Sequence, residues 1–198
     1  MADFRPLLKR LAQKGIQPNS AAAREWFSKK VRQSAVTSAL SRQPGRRSLL
    51  SDSERRAATP QVGKMYFYNY DPKFKDKLPY YDEFPLIFAV DYFSGGFLGM
   101  NLHYVSPRNR MLIMNSLSNI ATNARYDSST RLALSYRVLQ GASKFSTIKP
   151  CIKRYLYSNV KSSFVSIDAN EWDIAIFLPV QRFRKASASK VWSDSARG

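Results

Sequence analysis

Residues 85–105 constrain the fold more than any other segment. Pro85 to Phe93 (PLIFAVDYF) and Phe97 to Val105 (FLGMNLHYV) flank Ser94-Gly95-Gly96. Both runs are rich in β-prone aromatic and branched side chains, and glycine supplies the positive φ that a tight hairpin turn needs. Leu86, Phe88, Val90 and Tyr92 alternate onto one face. Leu98, Met100, Leu102 and Tyr104 alternate onto the corresponding face of the partner. A slip of one residue would turn every one of these side chains to the opposite face, so the register is specified.

The surrounding sequence extends this hairpin into an α+β domain. Lys64 to Tyr70 (KMYFYNY) reads as a strand, followed by a charged, turn-rich stretch from Asp71 to Glu83. Ser106-Pro107 opens a helix as N-cap and first helical residue, with Ile113, Leu117, Ile120 and Ala121 as its apolar stripe. Ser128 or Ser129 is expected to cap a second helix holding Leu132, Tyr136 and Leu139, ending near Gly141. A third helix is expected from Pro150, with Ile152, Tyr155, Leu156 and Val160 on one side and Lys149, Lys153, Arg154 and Lys161 exposed. Phe164 to Ile167 and Trp172 to Val180 read as strands. The order of strand, hairpin, helices and two strands suggests a small antiparallel sheet or a partly closed barrel of SH3 type. A helical block (107–161) would be inserted between its third and fourth strands.

Charge divides the chain near Gly63. Residues 1–62 hold 13 Lys+Arg against 4 Asp+Glu and only three aromatics, Phe4, Trp26 and Phe27. They read as a basic N-terminal arm: a short helix over Pro6–Lys14, a second over Ala21–Leu40 capped by Asn19 or Ser20, and a Ser/Arg/Pro-rich linker over 41–62. Residues 63–185 form the expected folded domain, and 186–198 a loose tail that Val191 and Trp192 could anchor. The whole chain carries +18 over 198 residues. Such a surface repels itself and gains free energy beside a polyanion by releasing condensed counterions. A solubility device, or a subunit neutralised by an acidic neighbour, is the alternative. The 13% aromatic content argues for a packed core.

Little in the sequence speaks for catalysis. His103 is the only histidine, and Cys151 the only cysteine, so neither a His-rich nor a Cys-rich metal site is expected. His103 reads as a structural hydrogen-bonding residue and Cys151 as a small buried hydrophobe in a reducing compartment. Asp71, Asp76, Asp82, Glu83 and Asp91 form an acidic cluster in which Asp71 with Lys73, or Asp91 with Lys64, could imitate a metal-dependent nuclease. The spacing matches no such motif. Phosphate-binding glycine loops are absent, no run reaches the length of a membrane span, and the charged N-terminus does not read as a signal peptide. No cofactor and no small-molecule substrate are expected.

Basic and aromatic residues interleave at Lys64-Met65-Tyr66-Phe67-Tyr68, at Lys73-Phe74-Lys75, and at Lys153-Arg154-Tyr155 with Tyr157. Cations suit phosphates and rings suit exposed bases, although a core aromatic beside a solvated lysine gives the same pattern. Arg182, Arg184 and Lys185 add a basic edge after the last strand, and Arg46, Arg47, Arg55 and Arg56 one in the arm. With Lys64, Lys73, Lys75, Lys149, Lys153 and Arg154 these are the candidate nucleic-acid contacts.

The runs Gly63-Lys64-Met65-Tyr66-Phe67, Tyr70-Asp71-Pro72-Lys73, Leu78-Pro79-Tyr80-Tyr81-Asp82 with Phe84-Pro85-Leu86, and Gly95 to Tyr104 resemble a family from contractile-tailed, T-even-like bacteriophages. That family is the DNA end protector, a head-completion protein. The similarity covers the central quarter of the chain closely and Phe164–Phe183 more loosely. It implies a virion protein, made in the host cytoplasm, that binds the ends of packaged double-stranded DNA and shields them from host exonuclease. It also implies contact with other phage structural proteins and carries over no catalytic residue. A structural adaptor of the phage neck or baseplate, without a direct DNA role, is the alternative.

Overall fold

In chain order the elements are α1 (Arg5–Gln13), α2 (Ala21–Ser34), α3 (Arg46–Leu50), β1 (Arg56–Ala57), β2 (Met65–Phe67), β3 (Tyr81–Asp82), β4 (Leu86–Phe93) and β5 (Gly96–Asn101). Then follow α4 (Pro107–Ala121), α5 (Ser128–Ser143), β6 (Ile152–Leu156), β7 (Phe164–Ile167), α6 (Trp172–Ala175), β8 (Phe183–Arg184) and α7 (Ala188–Arg197). This computed structural model describes residues 4–18, 20–34, 45–121, 123, 125, 127–144, 146 and 148–197. Asn19 and residues 35–44, which carry one expected cap, the end of the second helix and the start of the linker, lie outside them.

The hairpin forms around Gly95-Gly96, but its second strand ends at Asn101, with Leu102–Val105 in turns, and Tyr92 is half exposed instead of joining the buried face. Gly95 takes φ +81°, and a Cβ on Gly96 would stand 2.2 Å from the Tyr155 carbonyl oxygen, so neither position accepts a side chain without strain. A β-bulge between Ala89 and Asp91 shifts the register midway. Six strands form one antiparallel sheet in the order β1-β7-β2-β4-β5-β6, and β3 pairs with β8 separately.

The sheet curls strongly. The rings of Phe97 on β5 and Phe164 on β7 lie 5.5 Å apart, although β4 and β2 separate their strands. A flat sheet would hold them roughly 14 Å apart. Tyr66, Tyr68, Ile87, Phe97, Tyr155 and Phe164 fill the concave side. Met65, Phe67, Leu86, Phe88 and Met100, on the other face, pack beneath the helices. Both faces of β4 are therefore buried from Leu86 to Val90, beyond the single apolar face of the alternation. The edge strands β1 and β6 do not pair with each other, so the sheet stays open.

The helices cover the convex face. Leu7 and Leu11 of α1, Ala23 and Phe27 of α2 and Leu49 of α3 share one core with Ile113, Met114 and Leu117 of α4 and Leu139 of α5. Ser20 caps α2 by accepting from the Ala23 amide at 3.1 Å. Pro107 starts α4 after Ser106, whose hydroxyl accepts from the Asn109 amide at 3.4 Å. Asp127, rather than Ser128 or Ser129, caps α5 by accepting from Thr130 at 2.7 Å, and α5 runs two residues past Gly141.

Four local expectations are corrected. The segment from Pro150 is a 3₁₀ turn and then strand β6, because pairing along the β5 edge overrides its helix-like spacing. Residues 172–180 form no strand. Glu171–Leu178 are buried on every side, and an apolar run of that length does not distinguish strand from buried helical turn. The expected linker contains α3 and β1, the latter paired with β7. The expected loose tail is helix α7, which buries Val191 and Ser195.

Candidate nucleic-acid interface

The stretch Asp71–Tyr80 has three lysines interleaved with Phe74, and two prolines that exclude regular structure. It folds onto itself: the Lys75 amide donates to the Pro72 carbonyl, and those of Lys77 and Leu78 to Phe74. Phe74 is 59% exposed, with the Lys73 and Lys77 ammonium groups 5.4 and 6.0 Å from its ring centroid. One side chain from the far end of the chain staples this loop. Lys185, at φ +67°, donates from Nζ to the carbonyls of Lys75, Asp76 and Leu78 at 2.7, 2.9 and 3.1 Å.

Behind the loop lies a groove of about 230 Å³ walled by Tyr70, Tyr80, Tyr81, Tyr104 and Tyr155, with Pro72 and Leu78 at its rim. Strand β3 brings Tyr81 opposite Arg184, and β6 brings Lys153 and Arg154. The Lys153 ammonium sits 4.1 Å from the Tyr104 ring centroid. Burial pushes it below the ordinary lysine range, and no carboxylate pairs with it among the described residues. The Arg154 guanidinium lies 4.1 Å from the Phe93 ring centroid and also lacks a carboxylate partner among them. Arg182 and Arg184 share Glu83, which leaves that edge net positive.

A buried polar network holds the groove floor. Asp82 accepts from His103 Nδ1 at 2.6 Å and from the Phe84 and Arg182 amides, each at 3.1 Å; Asn101 Nδ2 approaches at 3.4 Å. Burial opposes the Asp82 charge, but His103 and the two amides hold its pKa below the usual carboxylate value. Burial lowers His103, against the pull of Asp82, and Arg110 adds to the lowering. His103 Nε2 is buried without a hydrogen-bond partner, which suits a bare lone pair better than an N–H⁺. His103 is therefore neutral, with its proton on Nδ1. Arg110, pushed down to about 10 by burial yet still charged, donates to the carbonyls of His103, Val105 and Ile176. Trp192 of α7 donates to the same His103 carbonyl.

The remaining candidate residues lie apart from this groove. Arg56 and Lys64 are exposed along a second, polar groove with Glu54, Gln61 and Asp168 at the opposite sheet edge. Arg55 is bound to Glu171 and Asp52. Arg46 lies over Phe84 and donates to the carbonyls of Val180 and Gln181. Arg47 and Lys149 are exposed, and Lys75 pairs with Asp71 at 3.0 Å. In the Lys64–Tyr68 run only Lys64 is exposed; the four residues after it are core. Arg24 of α2, one of the arm's cations, is buried against Asp173 at 2.9 Å. Sequence reasoning missed Lys77, Tyr80 and Tyr81. The first continues the Lys73-Phe74-Lys75 pattern, whereas the tyrosines gain meaning only when β6 faces them.

The acidic cluster disperses. Asp71 binds Lys75, Asp82 binds His103, Glu83 binds two arginines, and Asp91 accepts from the Tyr92 amide. Among the described residues no three His, Cys, Asp or Glu groups converge as metal ligands. Cys151 is buried, and burial raises its thiol pKa. No helix among the described residues is long and apolar enough to cross a membrane.

A family model described as the phage T4 terminal DNA protecting protein matches residues 1–195. No curated protein and no solved structure matches the chain.

Proposed function

The chain belongs to the phage T4 terminal DNA protecting protein family, and from that premise we propose how it holds the DNA it protects. Its function is protection of DNA termini in a bacteriophage, as a structural protein of the virion. Binding is electrostatic and independent of sequence: lysines and arginines neutralise phosphates and release counterions, and no base edge is read. One observation carries this reading. Lys153 and Arg154 line the tyrosine groove, and Lys73 and Lys77 flank Phe74 on the adjoining loop, all without a carboxylate partner among the described residues.

Arg182, Arg184 and Lys185 continue that positive rim, while Arg47, Arg56, Lys64 and Lys149 offer phosphate contacts further along the duplex. Arg46, Arg55 and Lys75 contribute where a phosphate displaces their present partners. We read the curled, open sheet, with a 3₁₀ turn at Tyr157–Asn159 between β6 and β7, as an SH3-like platform for these groups. Shielding by occupancy needs no catalytic step. The protein acts beside other structural proteins of the particle and joins them in the host cytoplasm during assembly.

The test is protection of linear duplex DNA from a processive exonuclease by the purified protein, with linear or closed circular DNA as competitor. Protection that linear DNA competes away and circles do not is the expected result. Equal competition by circles would reduce the role to general duplex binding.

A further inference from the structure

We infer that the tyrosine groove takes the terminal nucleotide of a DNA strand through its phosphate monoester, with Lys153 as the anion's partner. This rests on the end-protection reading and specifies which chemical group marks an end. The groove holds about 230 Å³, below the roughly 300–1,000 Å³ of drug-sized pockets. It is too small to take a base pair.

Three features select an end. Lys153 is half-buried within the groove, so a continuous duplex backbone running over the surface does not reach it, whereas a free strand terminus does. Its ammonium is desolvated and packed on Tyr104 without a counter-anion among the described residues, an arrangement that an entering phosphate completes. The one acid in the wall, Asp82, has both carboxylate oxygens engaged by His103, Asn101 and two backbone amides. A terminal monoester carries about −1.5 to −2 charges at neutral pH, more than the single charge of an internal diester. The groove therefore favours the terminus by charge as well as by access.

The tyrosine walls suit the attached base. Ring faces stack on any base, so the site needs no sequence. Tyr80 and Tyr81 are the half-buried rings of the wall that a base can reach; Tyr104, 5.9 Å from Tyr80 by ring centroid, is buried and backs Lys153. Lys185 acts as a positioning residue: its three bonds to the Lys75–Leu78 backbone hold the outer lip in place.

The experiment measures binding of the full-length protein to three DNAs of one sequence: linear duplex with 5′-phosphate ends, linear duplex with 5′-hydroxyl ends, and closed circles. The wild type should prefer phosphorylated over hydroxyl ends by about tenfold, the ratio expected of one charge-assisted hydrogen bond. Lys153→Gln, checked for native folding by circular dichroism, should erase that ratio. A wild type that favours linear over circular DNA but treats both kinds of end alike overturns the pocket and leaves end protection standing. So does a phosphate preference that survives Lys153→Gln. Failure to distinguish linear from circular DNA overturns both.

Discussion

Replacing Asp82 by alanine tests the central claim about the groove floor. The substitution leaves the His103 Nδ1 proton and the amides of Phe84 and Arg182 without their acceptor. Asn101 loses least, because its 3.4 Å contact is long and its amide still donates to Tyr155 Oη at 3.0 Å. Each stranded buried donor costs about 1–3 kcal/mol, so three together predict a loss of roughly 3–9 kcal/mol. Arg110 also loses the nearest compensating charge. Domains of this size have only about 5–15 kcal/mol in total, so the variant should be near its unfolding midpoint in mild denaturant. Urea unfolding followed by tyrosine and tryptophan fluorescence measures this, with an unchanged denaturant slope confirming that the same surface unfolds. Asp82→Asn keeps one acceptor oxygen and should lose about half as much. A change below about 1 kcal/mol in Asp82→Ala would refute the network, since no set of stranded buried donors is that cheap.

The same network sets the pH response. Folding depresses His103 below its ordinary 6.5 and Asp82 below 3.8, so the unfolded chain binds more protons and stability falls as pH drops below about 6.5. Thermal melts should show the first loss between about pH 6.5 and 5 in the wild type and a flatter profile in His103→Gln. Removing Asp173 takes the counter-charge from the buried Arg24 guanidinium, which keeps its bond to Asn115, and should destabilise by about 3–5 kcal/mol in chemical unfolding, more than Lys190→Ala at the Lys190–Asp194 pair. Gly96→Ala places a methyl 2.2 Å from the Tyr155 carbonyl and should separate β5 from β6, read as loss of hydrogen-exchange protection in Gly96–Leu98. DNA affinity should drop by about 10³-fold between 50 and 200 mM salt if some six phosphates are neutralised, measured by anisotropy; an affinity indifferent to salt would remove the electrostatic basis of binding.

Local chemistry and charge were legible from the residues alone. The hairpin followed from alternation around Ser94-Gly95-Gly96, α4 from Ser106-Pro107, and the polyanion partner from a net +18. The central motif run resembles the family whose model matches residues 1–195. These signals are local or additive, so a linear reading suffices. Long-range pairing was not legible. Ile152–Leu156 has helix-like spacing, yet the β5 edge offers five partners and makes it a strand. Trp172–Val180 looked like a strand until the core closed around it on every side. The buried Arg24–Asp173 pair joins residues 149 positions apart, and no local pattern marks it. The groove itself is assembled from three distant segments, Tyr70–Tyr81, Tyr104 and Lys153–Tyr155. Tyr70–Tyr81 and Lys153–Tyr155 each read alone as a solvated lysine beside a core aromatic, and Tyr104 as a residue of the hairpin's apolar face. Only the curl of the sheet, which follows from burying aromatics on its concave side, turns Lys153 inward against Tyr104 and makes a site of them.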